Sequence, residues 1–383
     1  MTKNPPADHA PIASAEPIDR GALRAAFRQE EAACVADRLR ETQVFTRDHA
    51  AIQAYAVKLI QDARKRDVSG IDAFLHQYGL NTEEGIALMC LAEALLRVPD
   101  GRTADALIRD KIGEINWREH LNESDSTFVN AATFSLMLTG EVLERPEQTQ
   151  KAMGRTLRGA MNRLGEPVIR QATFQAMRIL GGQFVFGRTI NEALKRAGPE
   201  RARGLTHSFD MLGEAAMTFA DAERYRKAYL DAIERLKDES DGTISGSPGI
   251  SVKLTALYPK YDIFHAEKAK KALIPIVTEL AVRARDANIH FTIDAEEADR
   301  LELSLDIIEA LAADDSLFAR PDGTRWEGFG MAVQAYQKRG VPLCRWLIDL
   351  AEKYDRKFMV RLVKGAYWDT EIKISQTMNL IVL

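Results

Sequence analysis

The sequence predicts an α/β chain in two parts, a helical amino-terminal half followed by a half in which short strands alternate with helices. Three observations carry this. From Ile18 to about Ala202 the apolar residues recur at helical spacing. After Gly204 five short apolar segments follow, "THSFDML", "GISVKLTAL", "IHFTIDAEE", "GFGMAVQAY" and "KFMVRLVKGA", starting at residues 206, 249, 289, 328 and 357. Amphipathic stretches such as "ADAERYRKAYLDAIERLK" and "AEKAKKALIPIVTELAVRARD" fill the gaps. Intervals of about 30–43 residues are the period of successive βα units, and hence of a parallel sheet.

The elements follow in order. Residues 1–18 hold four prolines and little to bury, and read as a disordered lead-in. Residues 19–203 read as an all-helical arm and linker. In "RDHAAIQAYAVKLIQDARKR" Ile52, Ala56, Leu59, Ile60 and Ala63 share one helical face. "NTEEGIALMCLAEALLRVPD" opens with Asn81 three residues before Glu84, a capping-box pattern, and closes before Pro99. Further helices fit "ADALIRDKIGEI", "STFVNAATFSLMLTGEVL", "QKAMGRTLRGAMNRL" and "PVIRQATFQAMRIL". Residues 204–383 read as five strands of an incomplete (β/α)8 barrel, because eight units need roughly 250 residues. An open five-stranded sheet is the alternative.

Composition narrows the function. The chain has 383 residues, 46% of them hydrophobic, with 52 basic against 56 acidic residues and a formal net charge of -4. Nothing in that balance calls for a nucleic-acid partner. Cys34, Cys90 and Cys344 stand far apart with no C-x-x-C, which argues against a disulfide framework or a zinc cluster, and no metal is expected. No apolar run reaches the ~18 residues of a transmembrane helix, and the opening residues lack the apolar core of a signal peptide, so a cytoplasmic protein is expected. Dinucleotide, P-loop, zincin and nucleophile-elbow motifs are absent. His207, beside the first strand, is the only histidine near the expected site.

A polar or charged residue stands in or just past each apolar run: Asp210, Lys253, Asp294, Gln334, and Arg361 with Lys364. In a barrel these converge at the carboxyl end of the strands, where that fold carries its active sites. Lys253, Arg361 and Lys364 suit an anionic substrate or cofactor, Gly365 permits close backbone approach, and Tyr367 and Trp368 offer aromatic surface. A flavin suits such a site, since cations near its ring stabilise the charge that develops on reduction. A lysine in an apolar strand also suits a Schiff-base, aldolase-like barrel using Lys253. A chain that only self-associates is the third reading.

The motifs "SFDMLGEAAMT", "PGISVKLTALYPKY", "IDAEEADRLELSLDIIEAL", "VQAYQKR" and "VRLVKGAYWDTEI", in this order, resemble the proline dehydrogenase domain of bacterial proline utilization A. Upstream, "EEGIALMCLAEALLRVPD" and "QAMRILGGQFVFGRTI" resemble that family's helical arm. The family's ribbon-helix-helix DNA-binding segment is not apparent. The resemblance implies FAD-dependent oxidation of L-proline to pyrroline-5-carboxylate. It implies that Lys253 holds the substrate carboxylate, that Asp294 orders the site with Ala295 against the flavin, and that Gln334 hydrogen-bonds the flavin ring. Arg361 would reach flavin N5, Val363, Lys364, Gly365 and Ala366 would contact the cofactor, and Tyr367 and Trp368 would line the pocket. A membrane quinone as electron acceptor, peripheral attachment to the inner membrane and a homo-oligomer are further expectations. The family continues past "SQTM" into three more strands, so the resemblance implies an open barrel here and impaired activity.

Overall fold

The computed structural model describes residues 17–43, 48–65, 103, 185–211 and 215–378. The chain forms two compact units, one of residues 1–47 with 197–383 and one of residues 48–196. In the second unit the described structure includes α3 (His49–Arg64) and the start of α4 (Ile190–Arg201). The helices expected between residues 81 and 180 lie outside the described residues. So does the lead-in up to residue 16.

The first unit carries the sheet. Five parallel strands, β1 (Ser208–Asp210), β2 (Gly249–Val252), β3 (His290–Ile293), β4 (Phe329–Gln334) and β5 (Met359–Val363), lie in the order β1-β2-β3-β4-β5. The register is regular: Ile250 pairs with Phe291, Phe291 with Phe329, and Ala332 with Arg361. All five expected strands are present, each shorter than its apolar segment.

Helices connect the strands: α5 (Phe219–Lys237), α6 (Leu254–Leu257), α7 (Ala266–Asp286), α8 (Leu301–Ala313), α9 (Asp315–Phe318) and α10 (Gly340–Tyr354), with α11 (Trp368–Thr377) after β5. Thr218 and Asp221 close a capping box at the start of α5, satisfying otherwise orphaned amides. α7 buries Leu273, Val277 and Leu280 completely, a contribution of about 1.5–3 kcal/mol each. Phe291, Phe318, Trp326 and Phe329 pack together beneath β3 and β4, with Trp326 Nε1 donating to the Ile289 carbonyl at 3.1 Å. Burial fades toward β5. β2 is buried throughout, whereas Val360 and Leu362 on β5 are 44% and 64% exposed. α11 buries no residue, and among the described residues β5 is paired on one side only.

The short helices α1 (Gly21–Ala26) and α2 (Glu31–Thr42), which the apolar pattern groups with the helical arm, lie in the same unit as the strands. Arg20, 6% exposed, bridges Asp306 at 2.6 Å and Glu309 at 3.0 Å on α8 and stacks 5.1 Å from the Trp346 ring on α10. The Ile18 amide donates to Glu309 Oε1, and Lys338 Nζ donates to the Gln29 carbonyl and pairs with Glu31. The buried guanidinium is a fixed anchor, because leaving it without its carboxylate partners in the interior is costly.

Candidate functional site

The carboxyl ends of the strands bring four charges together. Asp210 ends β1, Lys253 follows β2, Asp294 follows β3, and Arg361 stands in β5. Lys253 Nζ lies 3.0 Å from both carboxylate oxygens of Asp210 and 3.0 Å from Asp294 Oδ2. The other oxygen of Asp294 accepts from Arg361 Nη2. Asp294 therefore joins the two cations, one oxygen to each. Burial holds its carboxyl above the ordinary aspartate value; Lys253 and Arg361 oppose this, and the negative charge of Asp210 adds to it.

The segment around Lys253 departs from the expected strand. "LTAL" forms the helical turn α6, and Lys253 occupies its N-cap position. The cause is Glu296, 9% exposed, whose Oε1 accepts from the Leu254 amide at 3.0 Å and the Thr255 amide at 3.2 Å. Its Oε2 accepts from Thr255 Oγ1. A carboxylate from the β3 loop thus caps the helix that begins beside Lys253. Burial raises the Glu296 carboxyl above its ordinary value, and the bonds from Thr255 lower it.

Gln334 ends β4 almost fully buried. Its Nε2 donates to the Glu296 carbonyl at 2.8 Å, while its Oε1 has no partner among the described residues. A buried carbonyl oxygen without a donor asks for one. Gly365 stands beside it at φ +111°, where a Cβ would lie 3.0 Å from Gln334 Oε1 and 2.3 Å from Tyr336 Cδ1. Glycine is required here by the chain's own packing as well as by the backbone angle. The Ala335 and Tyr336 amides donate to the Val363 and Lys364 carbonyls, which ties the end of β5 to β4.

The remaining expected residues cluster at the same end with looser geometry. Ala295 and Val363 are half-buried, Ala366 and Lys364 are exposed, and Lys364 Nζ lies 5.9 Å from the centroid of the Trp368 ring. Tyr367 lines an open cavity of ≈ 400 Å³ with Met211, Lys253, Tyr258, Glu297 and Arg300. Burial, with Glu297 and Glu296 nearby, pushes its hydroxyl up to about 12. His207 turns away from the four charges and meets Glu200 Oε2 at 2.6 Å.

Sequence reasoning passed over two contributors. Ser251, fully buried in β2, accepts from Arg361 Nη1 at 3.0 Å. Strand alternation carries the signal, since Gly249, Ser251 and Lys253 fall at every second position. Glu296 is the other, visible only as the second acid of "DAEE".

Comparison with known proteins places the strand-bearing part of the chain in a family. A family model described as proline dehydrogenase matches residues 193–382, and one described as the DNA-binding domain of proline dehydrogenase matches residues 70–184. That second description runs against the expectation of no nucleic-acid partner; its match lies outside the described residues apart from Thr103. The chain is 42% identical over 365 residues to the bifunctional protein PutA of Escherichia coli, covering 94% of this chain and 27% of that protein. Against PutA of Rhizobium meliloti it is 45% identical over 377 residues, covering 97% and 30%. A crystal structure of a point mutant of proline utilization A from Bradyrhizobium japonicum superposes with a TM-score of 0.62 at 43% identity, covering 92% of this chain and 34% of that one. The chain thus spans under a third of the length of these curated relatives. Through residues 193–382 it belongs to the proline dehydrogenase family.

Proposed function

We propose that this chain carries the substrate- and flavin-facing strands of an FAD-dependent proline dehydrogenase, which oxidises L-proline to pyrroline-5-carboxylate. The observation that carries the reading is the four-charge cluster of Asp210, Lys253, Asp294 and Arg361 at the carboxyl end of a parallel sheet.

The residues present fit FAD. The unpartnered Gln334 Oε1 is an acceptor for a ring N–H, and Arg361 and Lys364 supply positive charge at the same edge. FAD would supply the acceptor for the hydride that leaves the substrate carbon beside nitrogen. Lys253 binds the substrate carboxylate, sharing its ammonium with Asp210, the more exposed of its two acidic partners. Asp294 keeps Lys253 and Arg361 in fixed relation, which holds the substrate in a reactive orientation. Tyr367 walls the cavity that Lys253 also lines.

The Schiff-base reading loses support from the same geometry. Two carboxylates around Lys253 favour the ammonium, whereas a nucleophile needs the free amine. Self-association keeps one supporting observation, the edge of β5 that no other described strand pairs, with exposed Val360 and Leu362. No helix among the described residues is long and apolar enough to cross a membrane. A cytoplasmic site of action, peripheral contact with the inner membrane and a quinone acceptor complete the proposal, and rest on the family resemblance of the strand-end motifs alone.

The test is the visible spectrum of the purified chain reconstituted with FAD, before and after anaerobic L-proline. Bleaching of a protein-bound flavin band by L-proline, and not by D-proline, supports the reading. A desalted protein without flavin absorbance refutes it for this chain.

A further inference from the structure

We propose that Ser251 is a positioning residue that sets the plane of the Arg361 guanidinium, with Ser208 completing the arrangement. The inference rests on the flavin-facing role given above to Arg361.

The direction of each bond follows from donor arithmetic. Arginine only donates, so Ser251 Oγ accepts from Arg361 Nη1 at 3.0 Å. Ser251 is fully buried, and its own proton needs an acceptor. Ser208 Oγ stands 3.1 Å away on β1, in an exposed residue whose proton can turn to solvent. The chain of donors therefore runs from Arg361 to Ser251 to Ser208, and each bond polarises the next.

This fixes a degree of freedom that Asp294 leaves open. With Asp294 alone, on Nη2, the guanidinium can pivot about that contact. A second contact on Nη1, from a different strand, stops the pivot. Arg361 is 40% exposed, so packing alone does not hold its plane. Ser251 is placed to do so because it alternates with Gly249 in β2 and with Lys253, extended just past the strand's end, putting the hydroxyl one step below the lysine.

The test compares the wild-type chain with Ser251→Ala and Ser208→Ala. The first readout needs no cofactor: the rate of Arg361 modification by phenylglyoxal, followed by peptide mass spectrometry, with exposed Arg345 as internal reference. Ser251→Ala is expected to raise the Arg361 rate about threefold or more and Ser208→Ala by less, with Arg345 unchanged. An unchanged Arg361 rate in Ser251→Ala overturns the proposal. Should Ser251→Ala melt early, Ser208→Ala, at an exposed position, decides by the same readout. The second readout is flavin reduction by L-proline: Ser251→Ala is expected to lower the reduction rate about tenfold while the half-saturating L-proline concentration changes less than twofold. A rise in half-saturation with an unchanged rate overturns it. A wild-type chain that takes up no flavin defeats the functional reading, while the labelling result still decides whether Ser251 holds Arg361.

Discussion

Replacing Asp294 by asparagine should leave the fold intact, or slightly firmer, while disabling the site. At an effective dielectric near 20, each of its two cation contacts is worth about 4 kcal/mol of attraction, so simple addition forecasts a ruinous loss. The sign of its titration says otherwise. Its carboxyl is held above the ordinary aspartate value, so burial together with Asp210 outweighs Lys253 and Arg361, and the ionised form is disfavoured in the folded protein. A carboxyl with a raised folded pKa stabilises most below its unfolded value near 3.9, and that contribution is lost as pH rises through the folded pKa. At neutral pH the charge is thus a net cost. Asparagine removes it, while Lys253 keeps Asp210 and Arg361 keeps Ser251. We expect urea unfolding at pH 7 to change by no more than about 1 kcal/mol, toward greater stability, with the difference from wild type shrinking as pH falls toward 4. Flavin reduction by L-proline should fall about 100-fold, because the two cations lose their common anchor. A loss of more than about 2 kcal/mol at pH 7 would show that Asp294 is a structural keystone and would refute this reasoning.

Three further outcomes are expected. Glu296→Ala removes the cap of α6 and should cost about 1–2 kcal/mol in urea unfolding, with a rise in half-saturating L-proline as Lys253 shifts. Gly365→Ala should cost about 1–3 kcal/mol from its backbone angle and more from the clash with Tyr336; Gly365→Ala combined with Tyr336→Ala should recover only the second part, read from thermal melts. Burial lowers the His290 pKa, so its contribution to stability is present above its unfolded value near 6.5 and is lost as pH falls through the folded value; unfolding free energy should therefore decline between pH 7 and 5, and less steeply in His290→Gln.

The strand half of the chain was legible because parallel strands and their covering helices have distinct periods. All five strands fall inside the apolar segments read from the sequence, and Lys253, Asp294, Gln334 and Arg361 meet as strand-end residues of one sheet should. Lys253 misled in one respect. An apolar run cannot separate a strand from the short helix that follows it, and the cap that decides the matter, Glu296, lies 43 residues away in sequence. The docking of residues 17–43 on α8 and α10 was illegible for the same reason. Arg20, Asp306 and Glu309 look like ordinary surface charges until the fold brings them together.

The charges at the strand ends have meaning only as a set. Asp210, Lys253, Asp294 and Arg361 alternate in sign, so the cluster is near neutral as a whole and no single member carries a large uncompensated charge. Exposure then orders them: Asp294 is 10% exposed and Asp210 43%. The buried acid, gripped by two cations, is the fixed member. Asp210, screened by solvent and held by one lysine, is the member that an incoming carboxylate can most easily displace, since an exposed ion pair is worth only about 1 kcal/mol. Substrate binding at Lys253 is on this view an exchange of one carboxylate for another, and its affinity should depend on the strength of the Asp210 contact. Asp210→Asn should therefore tighten the protection that L-proline gives Lys253 against acetic anhydride labelling, and weaker protection in that variant would show that Asp210 helps to hold the lysine in place for its ligand.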